Sequence, residues 1–133
     1  MRDDKAFAPL DAQIERVVRE VIGAGLAVHR QLGPGFLESI YGRALAIELR
    51  CRNMHFDEQH RMVVRYRGEI VAQHRLDLLV EHSVVVEVKA VKKLRPIHAA
   101  QVLSYLKASG HRVGLLMNFN VRLFKNGVQR FIR

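Results

Sequence analysis

Residues 84–91 read Val84-Val85-Val86-Glu87-Val88-Lys89-Ala90-Val91, a valine run interrupted by one acid and one base. Valine is β-branched and favours strands. Strand alternation places Val84, Val86 and Val88 on one face and Val85, Glu87 and Lys89 on the other. A charge in such a setting costs several kcal/mol unless it is paired or bound to a metal. The strand before it, Ile70 to Val80, ends in the equally apolar Leu78-Leu79-Val80, and Glu81-His82-Ser83 supplies a three-residue turn. With that loop Val80 opposes Val84, Asp77 opposes Glu87 and Arg75 opposes Lys89. Directly opposed residues have Cβ atoms about 4.5–5.5 Å apart. Two carboxylates so placed can grip one hard cation at about 2.1 Å, with Lys89 beside it to hold or deprotonate a water. The same residues also read as a charge network on a polar hairpin face, and on spacing alone both readings stand.

Outward from this hairpin, Met62 to Arg67 reads as a strand and Gly68-Glu69 as a turn. Lys92, Lys93 and Arg95 form a basic loop. Pro96 opens a helix through Ser109, stopped by Gly110. Val113 to Asn118 is a further strand, and Val121 to Ile132 a final strand or a hairpin around Asn126-Gly127. Toward the N-terminus, Asp11 caps a helix whose apolar residues (Ile14, Val17, Val18, Val21, Ile22) recur at helical spacing to about Gln31. Gly33-Pro34-Gly35 ends it. A second helix, Phe36 to Arg52, is apolar over more than half its circumference, which predicts packing between other elements. Residues 1–10 read as a loose lead-in and 11–133 as one domain. The order ααβββαβ(β) predicts an α/β or α+β fold, a mixed sheet flanked by helices.

Composition narrows the function. In 133 residues, 22 Lys plus Arg stand against 13 Asp plus Glu, a formal charge of +9. Such a surface draws polyanions, nucleic acid first among them. The single cysteine, Cys51, excludes an internal disulfide and fits a reducing cytoplasm as an inert helix residue. Neither a signal-peptide core nor an apolar run near the roughly 20 residues of a bilayer span is expected.

Asp77 followed ten positions later by Glu87-Val88-Lys89 resembles the PD-(D/E)xK nuclease superfamily, with Leu76 where a proline is usual. Leu32-Gly33-Pro34-Gly35-Phe36-Leu37-Glu38-Ser39-Ile40-Tyr41 resembles the signature of the small bacterial GxxExxY proteins, carried by Gly35, Glu38 and Tyr41. Gln101-Val102-Leu103-Ser104-Tyr105 resembles the QxxxY motif of the RecB-type branch. The resemblance spans residues 11–133.

It implies a restriction-endonuclease-like core and a Mg²⁺- or Mn²⁺-dependent phosphodiesterase acting on nucleic acid, DNA foremost, leaving a 5′-phosphate and a 3′-hydroxyl. It implies Asp77, Glu87, Glu38 and the backbone carbonyl of Val88 as metal ligands, and Lys89 beside the attacking water. Glu38 also suits a helix N-terminus simply as a carboxylate facing the dipole. Gln101, Tyr105 and His98 share one helical stripe, which the resemblance turns toward the DNA backbone or the metal's waters. Tyr41 is placed with substrate-binding side chains, although packing with one hydrogen bond suits it better. His29 either complements a helix C-terminus or reaches the site. Arg75, Lys92, Lys93 and Arg95 are candidate phosphate contacts. A homo-oligomer would enlarge the small surface available to substrate. The rival functions are a non-catalytic nucleic-acid- or partner-binding module on the same fold and a basic RNA-associated protein; neither needs a costly carboxylate pair.

Overall fold

The structure is a computed structural model that describes residues 9–133. Its elements are α1 (Ala12–Leu32), α2 (Glu38–Cys51), β1 (Phe56–Tyr66), β2 (Glu69–Val80), β3 (Val84–Lys89), α3 (Pro96–Ser109), β4 (Val113–Asn118) and β5 (Val128–Ile132). The five strands form one mixed sheet in chain order, β1-β2-β3-β4-β5. β3 and β4 run parallel, joined through α3, and the remaining neighbours are antiparallel. α1 and α2 close one face over Val18, Val21, Tyr41, Leu45, Val86 and Leu115. α3 closes the other, setting Val102 and Leu106 on Leu76, Val85 and Leu116.

Local chemistry explains the helix ends. The Asp11 carboxylate accepts the Ile14 N–H at 2.8 Å, which satisfies one donor of the first turn of α1. Gly33 (φ 68°) ends α1 with its N–H on the His29 carbonyl at 2.8 Å. α2 has no side-chain cap at Leu37. Instead the Tyr41 hydroxyl accepts the Phe36 N–H and donates to the Gly33 carbonyl, so one buried side chain fixes the turn that delivers Glu38. The Tyr41 ring stacks on Phe119, centroids 4.8 Å apart and planes 10° off parallel. α3 starts at Pro96 and ends at Gly110 (φ 81°), matching the sequence expectation.

Several boundaries differ from that expectation. β1 begins at Phe56, six residues before Met62, because it is an edge strand and its early part is polar. β3 stops at Lys89 rather than Val91, and α2 starts at Glu38 rather than Phe36. α2 is not buried all round: Ile40 and Ile47 are exposed, since only one of its sides meets α1 and the sheet. Of the two expectations for Val121 to Ile132 the single strand holds, shortened to β5, with Phe124–Gly127 a 3-10 turn leading into it. Of the lead-in, residues 1–8 lie outside the described residues, and Leu10 is not loose but buried in the core.

Two features bear on the site. The β2–β3 ladder pairs Val80↔Val84, Leu79↔Val85 and Leu78↔Val86 and then ends. Arg75 therefore does not oppose Lys89; it pairs with Arg61 of β1. The alternation of β2 also breaks. Leu76 packs with the α3 cluster, whereas Leu78 and Val80 pack under α1 and α2. Strict alternation would keep all three on one face, so the strand changes face at Asp77. β1 changes face at the same level, Phe56 facing α1 and α2 and Met62 facing α3. The residue between is Gln59, whose φ of 52° costs roughly 1–2 kcal/mol for a non-glycine residue.

Gly127 shows how tightly the far end of the sheet is built. A Cβ there would stand 2.1 Å from the Asn118 carbonyl oxygen, a backbone atom that cannot swing aside. Gly127→Ala is expected to lower stability by about 1–3 kcal/mol, read as an earlier urea midpoint. Gly42→Ala, where the added Cβ meets nothing within 4 Å, is expected to be neutral or to stabilise α2 by about 0.5–1 kcal/mol.

Candidate metal and nucleic-acid site

Where the β2–β3 ladder ends, two acidic side chains take over its hydrogen bonds. The Val88 N–H donates to Asp77 Oδ2 at 2.7 Å. The Asp77 N–H donates to Glu87 Oε2 at 3.2 Å. The two strands are thus clasped through carboxylates, and the Asp77 and Val88 amides both find acceptors where the ladder ends. A cleft of about 400 Å³ opens there, lined by Glu38, Ser39, Gly42, Arg43, Glu58, Gln59, Asp77, Leu78 and Val88. Glu38 reaches it from the first turn of α2 and accepts the Ala90 N–H beyond the end of β3. Glu38, Asp77, Glu87 and Lys89 lie close enough to act on one another electrostatically.

All three carboxyl groups are held above their ordinary range. Glu87, 5% exposed, is pushed up to about 8, first by burial and then by the charge of Asp77. Burial raises Asp77, against the Val88 hydrogen bond and Lys89, which favour its charge. Burial likewise raises Glu38, although Lys89 opposes the shift. The Tyr105 phenol is raised by burial and then by Glu87 and Asp77, which places this α3 tyrosine beside both acids. Oxygen donors that repel one another in a partly desolvated cleft, with Glu87 buried, Asp77 half-buried and Glu38 at the open side, fit a hard divalent cation.

The remaining predicted residues divide into two groups. His98 lies near Glu38, and its Nδ1 accepts the Arg95 N–H at 2.9 Å. In the neutral ring that leaves the proton on Nε2. Gln101 is half-buried one turn before Tyr105 on the same stripe. Val91, Lys92, Lys93, Arg95 and His98 line an open hollow at the start of α3. Tyr41, by contrast, is fully buried and engaged with the Gly33–Phe36 turn, so it positions α2. His29 is buried too; its Nε2 lies 2.6 Å from the Val121 carbonyl and its ring packs on Phe124. Arg75 is exposed on β2 against Arg61, outside the carboxylate clasp.

Three residues that the sequence did not single out belong with the site. The Gln59 side chain hydrogen-bonds Asp77. The His74 ring stacks on Tyr105 with centroids 4.1 Å apart, near enough to Asp77 to favour its charge. His74 Nε2 is buried with no hydrogen-bond partner. Asn118, also buried, accepts the Val91 N–H at 3.0 Å and donates to the Val91 carbonyl at 2.9 Å, fixing the chain where it leaves β3. Asn118 carried a signal, as the one polar side chain in Val113–Asn118; Gln59 and His74 carried none.

A mixed sheet with helices on both faces, forked at an Asp and a Glu with a Lys beside them, defines a nuclease-like α+β fold. A family model described as the PD-(D/E)XK nuclease superfamily matches residues 15–131, and the chain belongs to that superfamily. No curated protein and no solved structure matches it. Membership points to a metal-dependent nuclease with a nucleic-acid substrate. Among the described residues no helix is long and apolar enough to cross a membrane.

Because Glu87 titrates near 8 when folded and near 4.5 otherwise, the folded chain holds a proton that the unfolded chain releases between those values. In EDTA, stability is therefore expected to fall as pH rises from about 4.5 to 8. Glu87→Gln removes the share of this dependence that Glu87 carries, leaving the smaller shares of Asp77 and Glu38. Its melting temperature should exceed that of wild type by about 5 °C at pH 8.5 and converge with it near pH 4.5, as followed by circular dichroism.

Proposed function

We propose that the chain is a Mg²⁺- or Mn²⁺-dependent nuclease, of the GxxExxY type within the RecB-like branch, that hydrolyses phosphodiester bonds of DNA in the bacterial cytoplasm. The observation that supports this most is the clasp of half-buried Asp77 and buried Glu87, with Lys89 beside them at a cleft that Glu38 also enters. Asp77, Glu87 and Glu38, with the Val88 carbonyl, would hold the metal. A divalent cation bound there supplies Lewis acidity toward a phosphate oxygen and makes water a usable nucleophile at neutral pH.

Lys89 orients the attacking water and offsets charge that develops on the phosphate. Asp77 and Glu87 keep their positions because each also holds a backbone amide. Tyr105 and Gln101 steady the substrate backbone from α3. His98, Lys92, Lys93 and Arg95 bind the flanking phosphates, and the overall +9 charge draws the polyanion in. A second copy of the chain would extend this small surface along a duplex.

Purified protein incubated with plasmid, linear and single-stranded DNA, and with RNA, tests the reading. Cleavage is expected with Mg²⁺ or Mn²⁺ and not in EDTA. Asp77→Asn, Glu87→Gln and Lys89→Met should each reduce the rate at least about 100-fold while leaving nucleic-acid binding in EDTA within a few-fold of wild type. Equal binding by wild type and variants, with no metal-dependent cleavage of any substrate, would replace the nuclease by a binding module.

A further inference from the structure

A second set of metal-ligating side chains gathers at the opposite end of β3 from Glu87 and Lys89. His55 precedes β1, Asp57 lies two residues on, and His82 sits in the β2–β3 turn. One ligand atom from each lies within 4.8 Å of the other two. The His55 and His82 rings stack with centroids 4.5 Å apart. His55 Nε2 stands 3.7 Å from Asp57 Oδ1, and His60 Nδ1 lies 3.6 Å from the other oxygen, Oδ2.

The backbone beneath is pre-set. Glu81 (φ 51°) and His82 (φ 57°) are both left-handed, a conformation that L-residues rarely adopt. The Glu81 N–H donates to the His55 carbonyl at 2.8 Å, and the His55 N–H donates to Glu81 Oε2 at 2.6 Å. This reciprocal pair ties the segment that carries His55 to the turn that carries His82. Only side-chain rotation is then needed to bring the donors to the spacing of a tetrahedral ion, about 3.4 Å for bonds of about 2.0–2.1 Å. These side chains are exposed or half-exposed and free to make that adjustment.

We propose that His55, Asp57 and His82 form a binding site for a borderline transition-metal ion, Zn²⁺ in the first instance. Two imidazoles and one carboxylate suit such an ion and not Mg²⁺, which requires oxygen. The bound ion clamps the entry of β1 to the β2–β3 turn, and its fourth position is left to water. His82 and Glu87 are five residues apart on the chain, on the order of 15 Å along a strand, so this site is distinct from the carboxylate cleft and does not depend on the nuclease reading.

Zn²⁺ titrated into untagged full-length protein by calorimetry tests the proposal. Zn²⁺ is expected to bind at this site, apart from any ion on the carboxylates, and to raise the melting temperature. His82→Asn keeps a residue that tolerates the left-handed backbone; it and His55→Gln should each weaken binding at least about tenfold. The Asp77→Asn/Glu87→Gln double variant, which removes any ion held on the carboxylates, should still bind one Zn²⁺ per chain. If either histidine variant melts differently from wild type in EDTA, Asp57→Asn takes its place and should show the same weakening. Unchanged affinity in the ligand variants, or loss of Zn²⁺ binding in the double variant, would overturn the proposal and move the ion to the carboxylates.

Discussion

Asp77 and Glu87 each serve two masters, a backbone amide and an open cleft. Where β2 and β3 part, the Val88 and Asp77 amides would be orphaned in a largely buried region, at a cost of about 1–3 kcal/mol each. The two carboxylates accept those amides, and the fork becomes stable because of the residues that make it chemically useful. The arrangement also forces two acids together away from water, which is why Glu87 rises so far from its ordinary range. Replacing either acid therefore alters the strand geometry as well as the charge, and the amide isosteres are the informative substitutions.

The scaffold fixes what approaches the fork. Glu38 comes from α2, whose start is set by the Tyr41 hydroxyl on the preceding turn and by the Tyr41 ring on Phe119. Phe119 follows β4, and its N–H donates to the Lys89 carbonyl at 2.9 Å. Asn118, one residue earlier, holds both backbone groups of Val91. A short run at the end of β4 thus holds the exit of β3 and braces the helix that supplies the third acid. Side chains locked in this way keep a constellation within the small tolerance that catalysis demands. The glycine at 127 belongs to the same construction, since its missing Cβ lets the chain pass against the Asn118 carbonyl.

The central elements were legible because their physics is local. Val84–Lys89 and Val113–Asn118 are short apolar runs bounded by turns, and α1 and α3 carry their own caps and stops. The edge strands were less legible. Phe56–Arg61 is mostly polar, because a strand paired on one side and changing face at Gln59 keeps no simple alternation. The fork itself defeated the register beyond Leu78↔Val86: extrapolated pairing sets Arg75 against Lys89, whereas the strands have separated by then. Asp77, Glu87 and Lys89 stood out as charges that a valine strand would not otherwise carry. Gln59 and His74 gave no such sign, since their place beside Asp77 comes from a kink in β1 and from the docking of α3.

The charge of the chain and the charge of its cleft point in opposite directions. The whole carries +9 and attracts a polyanion over its surface, yet the fork gathers the carboxylates of Glu38, Asp77 and Glu87, with Glu58 also lining the cleft, against the cations Lys89 and Arg43. A phosphodiester entering that cleft would meet like charge at close range, where low dielectric makes the repulsion strong. Protonation of Glu87 relieves part of it, but a neutral acid is a poor ligand and a poor partner for Lys89. A divalent cation held by Asp77, Glu87 and Glu38 would relieve the rest without giving up the acids, and the cleft would then accept phosphate. For the proposed nuclease this fixes an order of events: the basic surface gathers nucleic acid with or without metal, and the scissile phosphate seats only after the carboxylates have been neutralised.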